Sequence, residues 1–591
     1  MDDAGSASRA SLPALVPSWQ EPPPVPHDVA RALFEALSIP EPLCALLAQR
    51  GLIAPEQAKS FLRPLLDDLH PASLLADSED AVGRILGAVD RAETVLVHGD
   101  YDVDGVAGTA LLTRWIRRMG GRAVPFVPSR LRDGYDLGPA GLEAARGAGA
   151  GLIVTVDSGI RAHAAVAQAN ADGIDVIVTD HHTPAETLPP ALAVVDPNRG
   201  DCPYPNKGLC GTGVVYRLCE LMAHRRGLDP EALHGSLDLV ALATIADVVP
   251  LDHENRTLVR YGLKALARTE LPGLQALMKR AGLGDGPVEA GQVAFRLAPR
   301  INAAGRMAEA MTALELLMTE DPARAETLAD DLEQNNVDRR DEEARTLREA
   351  LEGLERSYRP GQDFGLVLEG EGWHPGVIGI VASRIVERVH RPTVLVALRD
   401  GQGRGSARSI PGFDLYGAVH ACREHLGRFG GHRAAAGMDV SRDRVEAFRR
   451  AFNSEARERL DGRPPRPSIR PDLELRLSEA TERLAHFLAY FGPFGMGNPT
   501  PVFVARDVGL ESPAREVGTG HLKLRLAQSG HTLDAIGFGL VDRIPPESLG
   551  MSPLDVIFKL KLGVFRGRRR VEAHVLDLRP HGTSDLLGLE T

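Results

Sequence analysis

Five short β-branched runs lie between residues 94 and 195, separated by helical stretches or turns, and this alternation restricts the fold more than any other feature. The runs are Thr94–His98, Ala123–Val127, Leu152–Val156, Val176–Thr179 and Ala191–Val195, with helical patterns over Val106–Met119, Pro139–Gly147 and Ala162–Ala171. Such alternation predicts βαβ units and a parallel sheet. Ligands of open parallel sheets bind beyond the carboxyl ends of the strands, so the residues just after each run carry the most information. His98, Asp100, Asp102 and Asp104 follow the first run, and Arg130 the second. Asp157-Ser-Gly159 follows the third, Asp180-His-His182 the fourth and Asp196 the fifth.

Carboxylates gathered at one edge repel one another strongly. Mixed with imidazoles, they describe a cation site instead. Hard oxygen ligands with histidine suit Mn²⁺ or Mg²⁺, and also admit Zn²⁺, Fe²⁺ or Co²⁺. The candidates exceed what one ion requires, and two ions sharing a bridging carboxylate would use them all. Paired ions are built for phosphoryl displacement. A further acid fits the same picture. The stretch Leu237 to Leu251 is an apolar helix in which Asp238 is placed to cap the first turn. Asp247 sits near its end among Ala246, Val248 and Val249, where a carboxylate needs a partner and a metal supplies one. Asp100 to Gly105 matches the opening of an EF-hand loop, but Leu111 stands where that loop needs a bidentate glutamate, and a strand precedes it. Each motif alone is ordinary; the combination is specific.

The rest of the chain divides by composition. Residues 1–27 are rich in proline without apolar periodicity and are expected to form a disordered tail. Residues 28–80 form a helical segment, and 81–319 hold the sheet and the helices that follow it. Glu320 to Ser357 has 19 charged residues in 38 and no glycine before Gly353, the pattern of a long solvated connecting helix. Mixed strand and helix return over 358–460. Four prolines mark a linker at 461–472. Short alternating strands over 473–582 predict a small all-β barrel. The net charge of −12 disfavours a protein that coats duplex nucleic acid. Five cysteines without a CxxC pair argue against a disulfide framework or a zinc ribbon. No apolar run approaches the ~20 residues of a membrane span, so no membrane partner is expected. The first residues lack a basic stretch followed by an apolar core, which makes the cytoplasm the expected location.

Longer motifs name a family. His98-Gly-Asp-Tyr-Asp-Val-Asp-Gly105, Val156-Asp-Ser158, Thr179-Asp-His-His182 and Ala246-Asp-Val248 resemble the four signature motifs of the DHH phosphoesterases. Pro299-Arg-Ile-Asn-Ala-Ala-Gly-Arg306, Gly372-Trp-His-Pro-Gly-Val-Ile-Gly379, Gly405-Ser-Ala-Arg-Ser409 and Phe429-Gly-Gly-His-Arg-Ala-Ala-Ala-Gly437 narrow this. They are similar to the RecJ family, bacterial single-stranded-DNA-specific 5′→3′ exonucleases. The resemblance runs from about residue 30 to 580. It implies an α/β fold in which a parallel-sheet DHH phosphoesterase domain is joined by a long helix to a smaller α/β DHH-associated domain, followed by an OB-fold barrel.

The resemblance also implies roles. Asp102, Asp104, Asp157, His181 and Asp247 would hold two ions, Mn²⁺ or Mg²⁺, with Asp157 bridging, and His98 occupies a ligand position of related phosphatases. His182 would face the scissile phosphate, with Asp100 and Asp180 orienting the histidines. The DHH-associated domain would close a groove over the site. Ser406 and Arg408 would hold a terminal 5′-phosphate, Arg130 and Arg306 being the other candidates for it, with His374 and His432 as DNA contacts. In the barrel, Lys559 to Arg570 carries six basic residues and no acid, with Phe565 as a stacking ring. The implied activity is 5′→3′ degradation of single-stranded DNA to 5′-mononucleotides in repair and recombination. A small-substrate phosphoesterase acting on short oligonucleotides is the alternative. The implied partners are single-stranded DNA and, beyond it, a single-strand-binding protein or a helicase.

Overall fold

The computed structural model describes residues 12, 15–130, 132–229, 231–284, 286–550, 552–565 and 568–583, leaving out the side chains of 564–568. The chain divides into two compact units, one of residues 54–338 and 488–500, the other of 1–53, 339–487 and 501–591.

The first unit is built on five parallel strands: β1 (Thr94–Gly99), β2 (Arg122–Phe126), β3 (Ala150–Val156), β4 (Asp175–Thr179) and β5 (Ala193–Val195). Their spatial order is β2-β1-β3-β4-β5. The connection after β1 runs to one side of the sheet and the connection after β2 returns to the other, so the order reverses between β1 and β3. That reversal opens the crevice where doubly wound sheets bind ligands. Strands β1 and β3 are buried on both faces, which is why they read as continuous apolar runs rather than as alternation.

Helix α1 (Val103–Arg118) follows β1 after a tight turn. Asp102 caps it, accepting from the backbone N–H groups of Asp104 and Gly105 at 2.9 and 3.2 Å. The turn needs a glycine at 105, because a Cβ there would lie 2.4 Å from both the backbone N and O of Asp100. Gly105→Ala is therefore expected to cost about 3 kcal/mol or more in urea denaturation and to abolish metal binding with it. Helices α2 (Gly211–Arg225) and α3 (Leu237–Ala246) pack against α1. Val106, Leu111, Val214, Leu218, Val240 and Leu242 share the resulting core. Helix α3 is buried over Leu237–Ile245, and Asp247 stands at its end.

Two further helices bear on the site and its surroundings: α4 (His253–Leu266) and α5 (Ala298–Met307). Residues 488–500, expected with the barrel, belong to this unit. Arg256 of α4 donates to the carbonyls of Phe491 and Tyr490 at 2.7 and 2.8 Å and stacks on Phe61, while Leu251 N–H donates to the Met496 carbonyl. The expected connecting helix is α6 (Pro322–Ser357). Leu328 and Leu332 of its first part are buried in the first unit, and Ala350 and Leu354 of its last part in the second.

The second unit holds a mixed sheet of β6 (Leu366–Glu371), β7 (Thr393–Arg399), β8 (Gln402–Arg408), β9 (Phe429–Gly431) and β10 (Ala435–Ser441), in the order β9-β10-β8-β7-β6. Helix α7 (Ile378–Val389) crosses between β6 and β7. The barrel strands are β11 (Phe503–Leu510), β12 (His521–Gln528), β13 (His531–Gly537), β14 (Leu554–Phe565) and β15 (Arg568–Pro580). They run β11-β14-β15-β13-β12, and β12 returns to pair with β11 at Gly509 and Leu510, closing the ring. This is a five-stranded OB-type barrel.

The N-terminal region differs from the expectation of a disordered tail over 1–27 where it is described. Ser18–Trp19 forms a short parallel pairing with Ser468–Ile469, inside the expected linker. Trp19 donates its indole N–H to Asp577 at 2.8 Å and lies under the Arg579 guanidinium. Backbone pairing and one anchored ring hold this segment, and neither needs the periodicity by which a sequence announces an element. Among the described residues no helix is long and apolar enough to cross a membrane.

Candidate metal centre

The strand tips of the first unit converge as the sequence requires. Asp157 follows β3 with a positive φ of 59°, a backbone conformation that turns its carboxylate into the crevice. Helix α2 starts immediately beside it: a Cβ at Gly211 would fall 2.6 Å from the Asp157 Cβ. Asp104, fully buried, accepts from the N–H groups of Gly211 and Thr212 at 2.6 and 2.7 Å, at the positive end of α2. His181 Nε2 lies 3.0 Å from Asp157 Oδ1, 3.6 Å from Asp247 Oδ2 and 3.8 Å from Asp104 Oδ2.

Three sets of potential ligands follow from this geometry: Asp157, His181 and His182; Asp104, His181 and Asp247; and Asp100, Asp102 and Asp157. Asp157 and His181 are each shared between two sets. His98 joins none of them among the described residues. Its ring is fully buried against Phe126, with neither nitrogen hydrogen-bonded, and burial lowers its pKa to about 4.

The residues fit a cation. Asp100 Oδ1, Asp157 Oδ1, His181 Nε2 and Asp247 Oδ2 are all buried without a hydrogen-bond partner. Four orphaned lone-pair donors in one crevice would be costly unless a positive charge met them. Burial, reinforced by neighbouring carboxylates, pushes Asp157 and Asp100 well above the usual carboxylate range and Asp247 to about 8. Burial also lowers His181, leaving its imidazole neutral, the form that ligates a metal.

Asp180 is different. Burial would raise it, but the hydrogen bond and charge of His182, the Ile160 N–H and His181 together outweigh burial and hold the carboxyl below its usual range. It accepts from His182 Nδ1 at 2.8 Å, from the backbone N–H groups of His181 and His182, and through its other oxygen from Ile160 N–H. Asp180 is thus a fixed anion that orients His182. Despite burial, that contact raises His182 to about 9.

A cavity of about 310 Å³ opens over these groups, and its lining adds residues that the sequence motifs did not single out. Tyr135 places its hydroxyl 3.4 Å from His182 Nδ1. Tyr101 lies under the Arg130 guanidinium. Asn302 and Arg306 project from α5 one turn apart. Tyr101 and Asn302 lay inside quoted motifs and could have been read from their spacing. Tyr135 comes from the loop after β2 and gives no sequence signal.

In the second unit, Ser406 and Arg408 of β8 meet the start of α7. Arg408 donates to Ser406 Oγ at 3.2 Å, and a Cβ at Gly379 would lie 2.7 Å from the guanidinium and 2.9 Å from that hydroxyl. An open helix N-terminus, a hydroxyl and a guanidinium form an anion corner. His374 accepts from Gly376 N–H in the turn before α7. His432 is exposed on the turn between β9 and β10. The Phe565 side chain lies outside the described residues. The barrel instead presents Phe538, 55% exposed, with the rings of His521 and His574 each edge-on at 5.3 Å.

A parallel sheet with a switch-point crevice full of aspartates and histidines defines a metal-dependent phosphoesterase of the DHH type. Residues 94–244 match the DHH family N-terminal domain, 362–458 the DHHA1 domain and 471–577 the RecJ OB domain. The chain is 40% identical over 566 residues to the single-stranded-DNA-specific exonuclease RecJ of Dickeya dadantii, covering 92% of this chain and 96% of that protein. The crystal structure of RecJ from Thermus thermophilus in complex with Mn²⁺ has a TM-score of 0.81 at 33% identity, covering 96% of this chain and 80% of that one. The Mg²⁺ complex from the same organism gives 0.75 at 31%, covering 96% and 79%. The chain belongs to the RecJ family of single-stranded-DNA-specific exonucleases.

Proposed function

We propose that this chain degrades single-stranded DNA from the 5′ end to 5′-mononucleotides, with two divalent cations, Mn²⁺ or Mg²⁺, held at the tips of β1, β3 and β4. The carrying observation is the set of four orphaned ligand atoms that Asp157 and His181 share between overlapping sets. Asp102, Asp104, Asp157, His181 and Asp247 would hold the ions. When bound, the cations supply Lewis acidity, lowering the pKa of a water and offsetting charge on the phosphate.

The chain's own side chains do the rest. Asp180 fixes His182 at the mouth of the crevice, where its ring faces the scissile phosphate. Arg130, held over Tyr101, and Arg306 supply planar donor forks to phosphate oxygens. The Gly379–Ser406–Arg408 corner takes a terminal 5′-phosphate, which sets the polarity. Phe295, 82% exposed one helical segment before Asn302 and Arg306, offers a stacking face to the approaching strand. Phe538 does the same on the barrel, where OB folds bind oligonucleotides on the face of their second and third strands. Phe538→Ala is expected to weaken binding of an oligothymidylate by about 1–3 kcal/mol, read by fluorescence anisotropy, without changing the rate of removal of the first nucleotide at saturation. A role in repair and recombination in the cytoplasm accords with this activity.

Strands labelled at the 5′ or the 3′ end, with blunt duplex as control and Mn²⁺, Mg²⁺ or chelator present, test the proposal. Early release of labelled mononucleotide from 5′-labelled single strands alone is expected. Early release from the 3′ label would overturn the polarity, and rapid turnover of dinucleotides with none of long strands would favour a small-substrate phosphoesterase.

A further inference from the structure

A second cavity, of about 840 Å³, lies in the helical layer of the first unit, with none of its lining residues in common with the metal centre. Arg114 and Arg118 line it from the C-terminal half of α1, and Lys264 and Arg268 from the end of α4 and the turn beyond it. Among the described residues, none of these four makes an ion pair. Several other arginines of this unit are matched to carboxylates, among them Arg84 to Glu93, Arg199 to Asp77, Arg280 to Asp330 and Arg300 to Glu333. Arg114 lies in the field of Asp238, Arg118 over the Trp115 ring at 5.2 Å and Lys264 over the Tyr261 ring at 4.8 Å, yet none of the four meets a carboxylate at ion-pair distance, and four cations at one cavity point to an anion that comes from outside.

The remaining lining narrows the ligand. The N-terminus of α3 lines the cavity, where the Ser236 hydroxyl accepts from the Trp115 indole at 3.4 Å and the Asp238 N–H donates to the Gly235 carbonyl. Tyr261, Leu66 and Leu271 give the wall an aromatic and apolar part. Three acids also line it. Asp238 is committed to the Thr269 hydroxyl and the Leu239 N–H, both at 2.6 Å. Glu270 is exposed at the rim near Glu320, and neither pairs with the four cations. A bare inorganic anion would leave the apolar wall and the two glutamates unused. A nucleotide uses all three parts: its phosphate meets the cations, its base lies along Tyr261 and the leucines, and its hydroxyl and amino groups donate to the glutamates. The volume falls in the ordinary range for a small-molecule site.

We propose that this cavity is a nucleoside-monophosphate site separate from the metal centre. Calorimetric titration of the full chain in chelator, where the metal centre holds no cation, tests it with dTMP, dAMP, thymidine and inorganic phosphate as probes. One nucleotide per chain is expected to bind with a dissociation constant below about 1 mM, with thymidine and phosphate each weaker. Lys264→Gln with Arg268→Gln, both on exposed side chains, is expected to weaken dTMP by about tenfold or more while the thermal transition stays put. Arg114→Gln is expected to act in the same direction. Arg130→Gln with Arg306→Gln, at the metal centre, is expected to leave the affinity unchanged. No saturable binding at millimolar nucleotide would overturn the proposal, as would binding lost only in the Arg130 and Arg306 variant. Because every arm is run without turnover, the outcome is independent of whether the chain degrades DNA.

Discussion

Asp157→Asn is expected to abolish nuclease activity and, in chelator, to make the protein more stable. Asp157 is shared between two of the three ligand sets, and its buried oxygen has no partner in the protein. Removing its charge should lower kcat by about 10³-fold or more, the scale on which preorganised electrostatic groups act. The same charge destabilises the metal-free fold. Burial and the neighbouring Asp104, Asp102 and Asp100 raise the Asp157 pKa. A carboxyl raised in the folded state binds more protons there than in the unfolded chain, so stability falls as pH climbs. For the chelated wild type this decline runs from the ordinary carboxylate range upward through about 8, the value at Asp247. The asparagine variant should decline less steeply and gain on the order of 1–3 kcal/mol at neutral pH. Mn²⁺ should reverse the ranking, since a ligand at a hundred times its dissociation constant adds about 2.7 kcal/mol to the protein that binds it. Urea titrations of both proteins with and without Mn²⁺, at two pH values, check every part. Equal stability of the two in chelator would mean that the acids are not in mutual repulsion.

Arg408→Ala should separate end recognition from chemistry. Arg408 meets Ser406 and the opening of α7 at Gly379, a corner too tight for a side chain on residue 379. A charge-assisted contact contributes about 1.5–3 kcal/mol, so kcat/KM on 5′-phosphorylated strands should fall by roughly 10- to 100-fold. Strands with a 5′-hydroxyl should lose little, which erases the preference between the two ends. Gly379→Ala should act in the same direction by filling the corner. A uniform loss on both substrates would place the 5′-phosphate elsewhere, with Arg130 and Arg306 as the next residues to vary.

The candidate metal centre was legible because its acids and histidines sit where short strands end. Asp102, Asp157 and Asp180-His-His182 each follow a β-branched run, and the parallel sheet aligns those ends without further information. Asp247 was legible for the opposite reason, as a charge at the end of an apolar helix. Tyr135 was not legible, because a loop residue reaches His182 only through the path of a backbone that no periodicity encodes. Phe565 stood out because its neighbours are basic, whereas Phe538 is flanked by His521 from one strand and His574 from another, a cluster that exists only once the barrel has closed. Residues 488–500 group with the first unit because Arg256 pairs with their carbonyls, and backbone acceptors leave no trace in a sequence.

Trp19 reaches Asp577 across 558 positions of chain. Among the earliest residues made, it has no Asp577 to pair with until nearly the whole protein has been synthesised. The barrel, conversely, reaches its final form only when a segment from the opposite terminus is laid against it. Excising residues 473–582 as a free domain would leave Asp577 and Arg579 without that ring, and trimming the first twenty residues to tidy an expression clone would strip it from the intact chain. An experimenter who removes the proline-rich first residues is altering the barrel half a thousand residues away.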